Sequence, residues 1–209
     1  MENHKKRIAY YNKVNINFKK VLDIGAYEGN WTKSFKEFYP NADVLMIEAN
    51  TEKEEILKEV GNYKIAVLGK IDDEEVDYYK CLDGTPTGNG IYPENTEYKF
   101  IPEKRKAITL ATLLNSEDGF DLIKMDVQGA ERDIIQGSLP IIAKTKFLLL
   151  ELQTVQYTKG TPRFSEMVAY LHDLGFEFVD IFDLKYDRDC LIEMDGLFIN
   201  RNIEIENES

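Results

Sequence analysis

Apolar positions in this chain fall into short blocks that alternate between two spacings. Lys20-Val-Leu-Asp-Ile-Gly25 is an aliphatic run stopped by glycine, the pattern of a buried strand. Behind it, Trp31, Phe35 and Phe38 recur at i, i+4 and i+7, which predicts a helix over Asn30–Tyr39 with Pro40 at its end. The alternation continues with a strand over Asp43–Glu48, a charged helix near Thr51–Val60 and a strand over Tyr63–Leu68. Such a series predicts a parallel sheet covered on both faces.

Between Asp72 and Arg105 the pattern is less regular, with a strand expected over Val76–Leu82 and a turn-rich segment over Asp83–Gly90. Strands are expected again over Phe120–Asp126 and Phe147–Leu152, with helices near Ala130–Gln136 and Phe164–Leu174. Two last strands, Phe176–Phe182 and Cys190–Ile199, are joined by Asp183–Asp189, too short a link for a helical crossover, so the pair should be antiparallel. The predicted fold class is therefore α/β, Rossmann-like and mostly parallel, ending in an antiparallel hairpin. That arrangement is the one a seven-stranded methyltransferase sheet requires.

Length and charge narrow the picture. The 209 residues suit one domain, with residues 1–17 as an extension and residues 201–209 as a disordered tail. A formal charge of −12 opposes binding to a phosphate backbone, so nucleic acid is not the expected partner, although Lys104-Arg105-Lys106 offers a local basic run. No apolar stretch approaches a membrane span, and the basic residues Lys5 to Arg7 precede a polar segment, which is no signal peptide. Cys81 and Cys190 lack metal spacing, and a cytoplasmic location is expected.

In open parallel sheets, ligands bind beyond the carboxyl ends of the strands, where the strand order reverses. Asp23-Ile-Gly25-Ala-Tyr-Glu-Gly29-Asn30 runs from strand through glycine loop to helix, and Glu48 ends the second strand where it can accept ribose hydroxyls. A strand ending in glycine is by itself usually a turn, but the combination points to a nucleoside-containing ligand. No G-x-x-x-x-G-K-[ST] string supports a nucleoside triphosphate, and the G-x-x-x-G spacing departs from the dinucleotide pattern. S-adenosylmethionine, whose positive charges suit nearby carboxylates, fits better.

With those residues assembled, the sequence resembles the FkbM family of S-adenosylmethionine-dependent methyltransferases. The likeness rests on Asp23–Gly29, Ile47-Glu-Ala-Asn50, Thr109-Leu-Ala-Thr-Leu-Leu114, Ile123-Lys-Met-Asp-Val-Gln-Gly-Ala-Glu131 and Met194-Asp-Gly-Leu-Phe198, and within a subset on Pro86–Tyr92 and Gln156–Pro162. Where the family often has Glu, this chain has Gln128. The resemblance and the strand ends together imply cofactor contacts from Asp23, Gly25, Ala26, Tyr27, Gly29, Asn30, Glu48, Ala49, Ala66 and Asp126. Methyl transfer to the oxygen of a sugar or other small hydroxylated acceptor is what it implies about activity.

That reaction needs the acceptor oxygen in line with the methyl–sulfur bond and a group to take its proton. His4 lies in the extension and His172 within a helix expected to pack, so neither is a good base. Asp126 is the leading carboxylate, with Lys124 and Glu151 at the same mouth, although capping or ion pairing explains each equally well. Asn89 and Tyr157, on polar glycine-bearing loops, are candidates for acceptor contact. No metal is expected, Asp126, Glu131 and Glu151 being the carboxylates that could share Mg²⁺. The competing readings are an NAD-dependent oxidoreductase and a non-catalytic adenosine-binding protein on the same fold. Oligomeric state is left open.

Overall fold

The computed structural model describes residues 1–83 and 88–204. Its main sheet has seven strands in the order β3-β2-β1-β7-β8-β10-β9. These are β1 (Lys20–Ile24), β2 (Asp43–Glu48), β3 (Tyr63–Ile65), β7 (Leu122–Met125), β8 (Phe147–Gln153), β9 (Phe176–Asp187) and β10 (Cys190–Asn200). Neighbours are parallel from β3 to β8, and β10 runs antiparallel to both β8 and β9. The order reverses beside β1, whose neighbours are β2 on one side and β7 on the other.

Side-chain alternation divides the core between the two faces. In β8 every residue is buried; Leu148, Leu150 and Leu152 enter one cluster, while Phe147 and Leu149 enter the other. The first face is covered by α4 (Leu110–Leu114), α5 (Glu131–Gly137), α6 (Leu139–Ala143) and α7 (Phe164–Asp173), and the second by α1 (Glu2–Lys13) and α2 (Asn30–Lys36). On the second face Trp31, Phe35 and Tyr39 stack with ring centroids 5.0 and 4.8 Å apart. The expected helix there is shorter than its apolar pattern, ending at Lys36, and Tyr39 rather than Phe38 is the buried third ring.

The N-terminal segment differs most from expectation. Residues 2–13 form α1, with Ile8 and His4 buried against the sheet. The indole N–H of Trp31 donates to His4 Nδ1 at 3.2 Å, and His4 Nε2 meets Asp195 at 2.7 Å. His172, expected to pack, is instead exposed on α7.

The run Tyr63–Leu68 is two strands, not one. After β3 the chain turns at Ala66, and β4 (Val67–Leu68) leaves the main sheet to join β6 (Phe100–Ile108) and β5 (Glu75–Cys81) in a second sheet, ordered β4-β6-β5. β6 was hidden by its charges, which pair with β5 and the turn before it: Lys104 with Asp77 at 3.0 Å and Lys106 with Asp73 at 3.1 Å. Arg105 donates to the Ala49 carbonyl at 2.5 Å and lies over the Tyr78 ring. The basic run is thus committed to internal pairs.

The helix expected at Thr51–Val60 is a 3₁₀ turn over Thr51–Lys53 followed by α3 (Glu54–Val60). The final hairpin is tighter than expected, since β9 extends to Asp187 and only Arg188 and Asp189 remain as the turn. Of the turn-rich segment Asp83–Gly90, residues 84–87 lie outside the described residues, as do residues 205–209 of the expected tail. Among the described residues no helix is long and apolar enough to cross a membrane.

Candidate active site

The carboxyl ends of β1, β2, β7 and β8 open into a cavity of about 1000 Å³. Its inner wall begins at Gly25, which sits at φ +74, and a Cβ there would lie 1.8 Å from the Asp126 carbonyl oxygen. Only glycine lets the end of β1 approach the end of β7 so closely. The chain continues through Tyr27, also left-handed at φ +51, which turns its amide toward β2.

Glu48 receives that amide. Its carboxylate accepts from the Tyr27 N–H and the Asn50 N–H, each at 2.7 Å, and the residue is only 8% exposed. Burial raises its carboxyl above the usual range, a rise that the Asn50 and Tyr27 amides only partly offset. Ala49 and Ala66 line the cavity beside it.

Beneath the loop lies a buried ion-pair chain. The Lys124 ammonium is 3.2 Å from Asp23, 3.5 Å from Asp126 and 3.2 Å from the Gly25 carbonyl, to which it donates. Thr32 donates to the other Asp23 oxygen at 2.7 Å. Burial lowers the Lys124 pKa, but Asp23, Asp126 and Asp195 outweigh it, so the net direction is upward.

Across the cavity, Glu151 is buried and its carboxyl is pushed well above the ordinary range, first by burial and then by the charges of Asp126 and Glu193. Gln128, held at φ +55, donates through Nε2 to Asp126 at 3.2 Å and to Glu151 at 3.0 Å. Tyr157 donates its phenolic proton to Glu193, and Lys185 pairs with Glu193 at 3.0 Å. Asn89 accepts from the Cys81 amide at 2.8 Å at the rim.

The sequence-derived residues thus separate by position. Gly25, Tyr27, Glu48, Ala49, Ala66, Asn89, Asp126, Glu151 and Tyr157 line the cavity. Asp23 and Lys124 lie buried behind it, Ala26 and Gly29 pack into the fold and Asn30 is exposed at the start of α2. Lys185 and Glu193 escaped the sequence reading, while Gln128 was noted there only as a departure from the family's usual Glu and was given no role. Glu131, offered as a metal ligand, instead accepts the Val127 and Gly129 amides at 3.1 and 3.4 Å. Among the described residues, Asp126, Glu131 and Glu151 do not converge as metal ligands; His4, Asp183 and Asp195 do. There, however, His4 Nδ1 accepts the Trp31 proton, which places the ring's own proton on Nε2 toward Asp195 and disfavours a metal at that nitrogen.

Comparison with known proteins gives the family and the fold. The sequence pattern of the methyltransferase FkbM domain matches residues 23–178. The chain belongs to the FkbM methyltransferase family. Within that breadth, the FkbM chain is 25% identical over 193 residues to the 2-O-methyltransferase NoeI of Sinorhizobium fredii (strain NBRC 101917 / NGR234), covering 82% of this chain and 78% of NoeI. In fold it is similar to the N-terminal domain of EvdMO1 with S-adenosylhomocysteine bound, at a TM-score of 0.54, 12% identity and coverage of 96% of this chain and 82% of that one. It spans 41% of the longer EvdMO1 chain. It is likewise similar to the FkbM methyltransferase of Methylobacillus flagellatus KT, at a TM-score of 0.53 and 14% identity, covering 87% of this chain and 43% of that one.

Proposed function

We propose that this FkbM-family chain is an S-adenosylmethionine-dependent O-methyltransferase acting on a hydroxyl of a sugar or another small hydroxylated acceptor. The observation that carries the cofactor is the setting of Glu48. An ionised carboxylate has about four acceptor sites, and two are taken by the Tyr27 and Asn50 amides. The remainder suit a ribose diol, and the small side chains of Ala49 and Ala66 leave room for a base beside it. Gly25 and its loop would hold the amino-acid end, with Asp23, Ala26, Gly29 and Asn30 shaping that loop from behind. The relationship to the 2-O-methyltransferase NoeI supports oxygen as the methylated atom, and a solved form of the EvdMO1 domain in the presence of D-fucose supports a sugar-like acceptor.

S-adenosylmethionine, when bound, supplies an electrophilic methyl carbon, the electron pair of the broken carbon–sulfur bond staying on sulfur. The chain must orient the acceptor hydroxyl and take its proton as the new oxygen–carbon bond forms. Glu151 is assigned the second task, because it lines the cavity and burial with the charges of Asp126 and Glu193 raises its affinity for a proton, while Gln128 donates to its Oε2. Asp126, partly exposed and paired with Lys124, is assigned to attracting positive charge toward the cavity, and Lys124 to holding Asp126 and Asp23 in place. Asn89 and Tyr157 are assigned to the acceptor side.

Thermal unfolding with S-adenosylhomocysteine, S-adenosylmethionine, NAD and ATP in parallel tests the cofactor. A ligand at 100 times its Kd adds about 2.7 kcal/mol, so the two methionine-derived ligands should raise the midpoint and Glu48→Ala should abolish the rise. A rise with NAD alone, or with none of the four, overturns the reading.

A further inference from the structure

Around Tyr157 the cavity is rich in carboxyl groups: Glu94, Glu151 and Glu193 all act on its hydroxyl, Glu97 and Asp187 also line the cavity, and among the described lining residues Lys185 is the one cation. That ammonium is already engaged, donating to both oxygens of Glu193 at 3.2 and 3.0 Å. Lys124, the nearest other cation on the inner side, is enclosed between Asp23 and Asp126. Burial raises the carboxyls of both Glu94 and Glu151, with Lys185 only partly opposing it at Glu94, so their charge costs free energy while the cavity lacks a further cation.

The cavity lining also includes the rings of Tyr98, Tyr157 and Tyr186, and Tyr98 and Tyr186 are more than half exposed. Carboxylates and aromatic faces together are the chemistry that receives an ammonium group, one by charge-assisted hydrogen bonds and the other through the ring quadrupole. The rings also offer flat surfaces to a sugar.

We infer that the acceptor is a polyhydroxylated molecule bearing a free ammonium group, an unacetylated amino sugar, held by Glu94 and Glu151 against the Tyr157 and Tyr186 rings. The inference rests on the methyl-transfer reading of this cavity. An ammonium has no lone pair to attack with, so it serves as the handle and a neighbouring hydroxyl as the nucleophile. The carboxylates then offset two positive charges in one cavity, that of the methyl donor and that of the acceptor, whereas a phosphorylated or carboxylated acceptor meets like charge.

The test is calorimetric titration of the full chain, with and without S-adenosylhomocysteine, near neutral pH, where much of the sugar amine is protonated and the raised carboxyls are more ionised than in acid. The probes are the β-1,4 tetramer of glucosamine, its fully N-acetylated counterpart and a galacturonate tetramer. The glucosamine tetramer should bind about tenfold or more tightly than the acetylated one, with a preference that shrinks as salt is added, and the galacturonate tetramer should not bind. Glu94→Gln and Glu151→Gln, each checked for folding by its unfolding midpoint, should each cut that preference severalfold. A glucosamine tetramer that binds no better than its acetylated form, or not at all, overturns the inference. Amine preference without S-adenosylhomocysteine binding would sink the cofactor reading, and the acceptor role with it, leaving an amine-binding cavity; S-adenosylhomocysteine binding without the preference would overturn this inference alone.

Discussion

The backbone amide of Tyr27 donates to the Glu48 carboxylate at 2.7 Å, tying the loop after β1 to the end of β2 across 21 residues of chain. One carboxylate therefore shapes the cavity and faces into it. Glu48→Gln tests both roles, because an amide offers one acceptor oxygen and must turn its NH₂ toward the Tyr27 or the Asn50 N–H. The substitution should cost about 1–3 kcal/mol of stability by denaturant titration. It should also weaken S-adenosylhomocysteine binding by about 10- to 100-fold. Wild-type affinity in this variant would show that the carboxylate charge is not used.

Lys124 stands between Asp23, which is fully buried, and Asp126. Removing its charge leaves Asp23 buried without a counter-ion. Lys124→Met should therefore destabilise the chain by about 3–5 kcal/mol, read as a lower midpoint in urea. A stable but inactive variant would instead mean that Lys124 acts in the chemistry.

Glu131 binds the amides of Val127 and Gly129, and burial pushes its carboxyl up to about 7. A group with a higher pKa folded than unfolded holds more protons in the folded state, so its contribution to stability is present below the unfolded value and lost as pH rises through the folded one. For Glu131 the loss should fall between its ordinary value of 4.5 and about 7. Midpoints measured across that window should decline less steeply in Glu131→Gln than in the wild type. Equal slopes would assign the decline to other buried carboxyls, Glu151 among them.

His4 joins α1 to the sheet through Trp31 and Asp195. His4→Ala leaves both partners short of a bond and opens a gap beneath α1, which should cost about 2–4 kcal/mol. Hydrogen exchange should then show residues 2–13 opening ahead of the remaining fold. Unchanged protection there would mean that Ile8 alone holds the helix.

The strands β1, β2, β7 and β8 were legible because each is largely buried on both faces and therefore writes a mostly apolar run, interrupted only by Asp23 in β1 and Lys124 in β7, that ends at glycine or a carboxylate. Gly25, Glu48 and Asp126 were legible for the same reason, as the residues that stop those runs. The antiparallel ending followed from a link too short to cross over. The sequence by itself thus determined the α/β class, the strand ends that carry the site and the FkbM resemblance, all of which depend on local periodicity and short spacings.

Tertiary structure alone decided the rest. β6 reads as a charged loop until β5 supplies Asp77 and the preceding turn supplies Asp73 as counter-charges. α1 is largely polar, and its place depends on partners 27 and 191 residues from His4. Gln128 reads only as a departure from the family's usual Glu until a left-handed backbone aims its amide at Asp126 and Glu151. In each case the deciding contact joins groups far apart in the chain, and neither periodicity nor local spacing encodes which distant charge a side chain will meet.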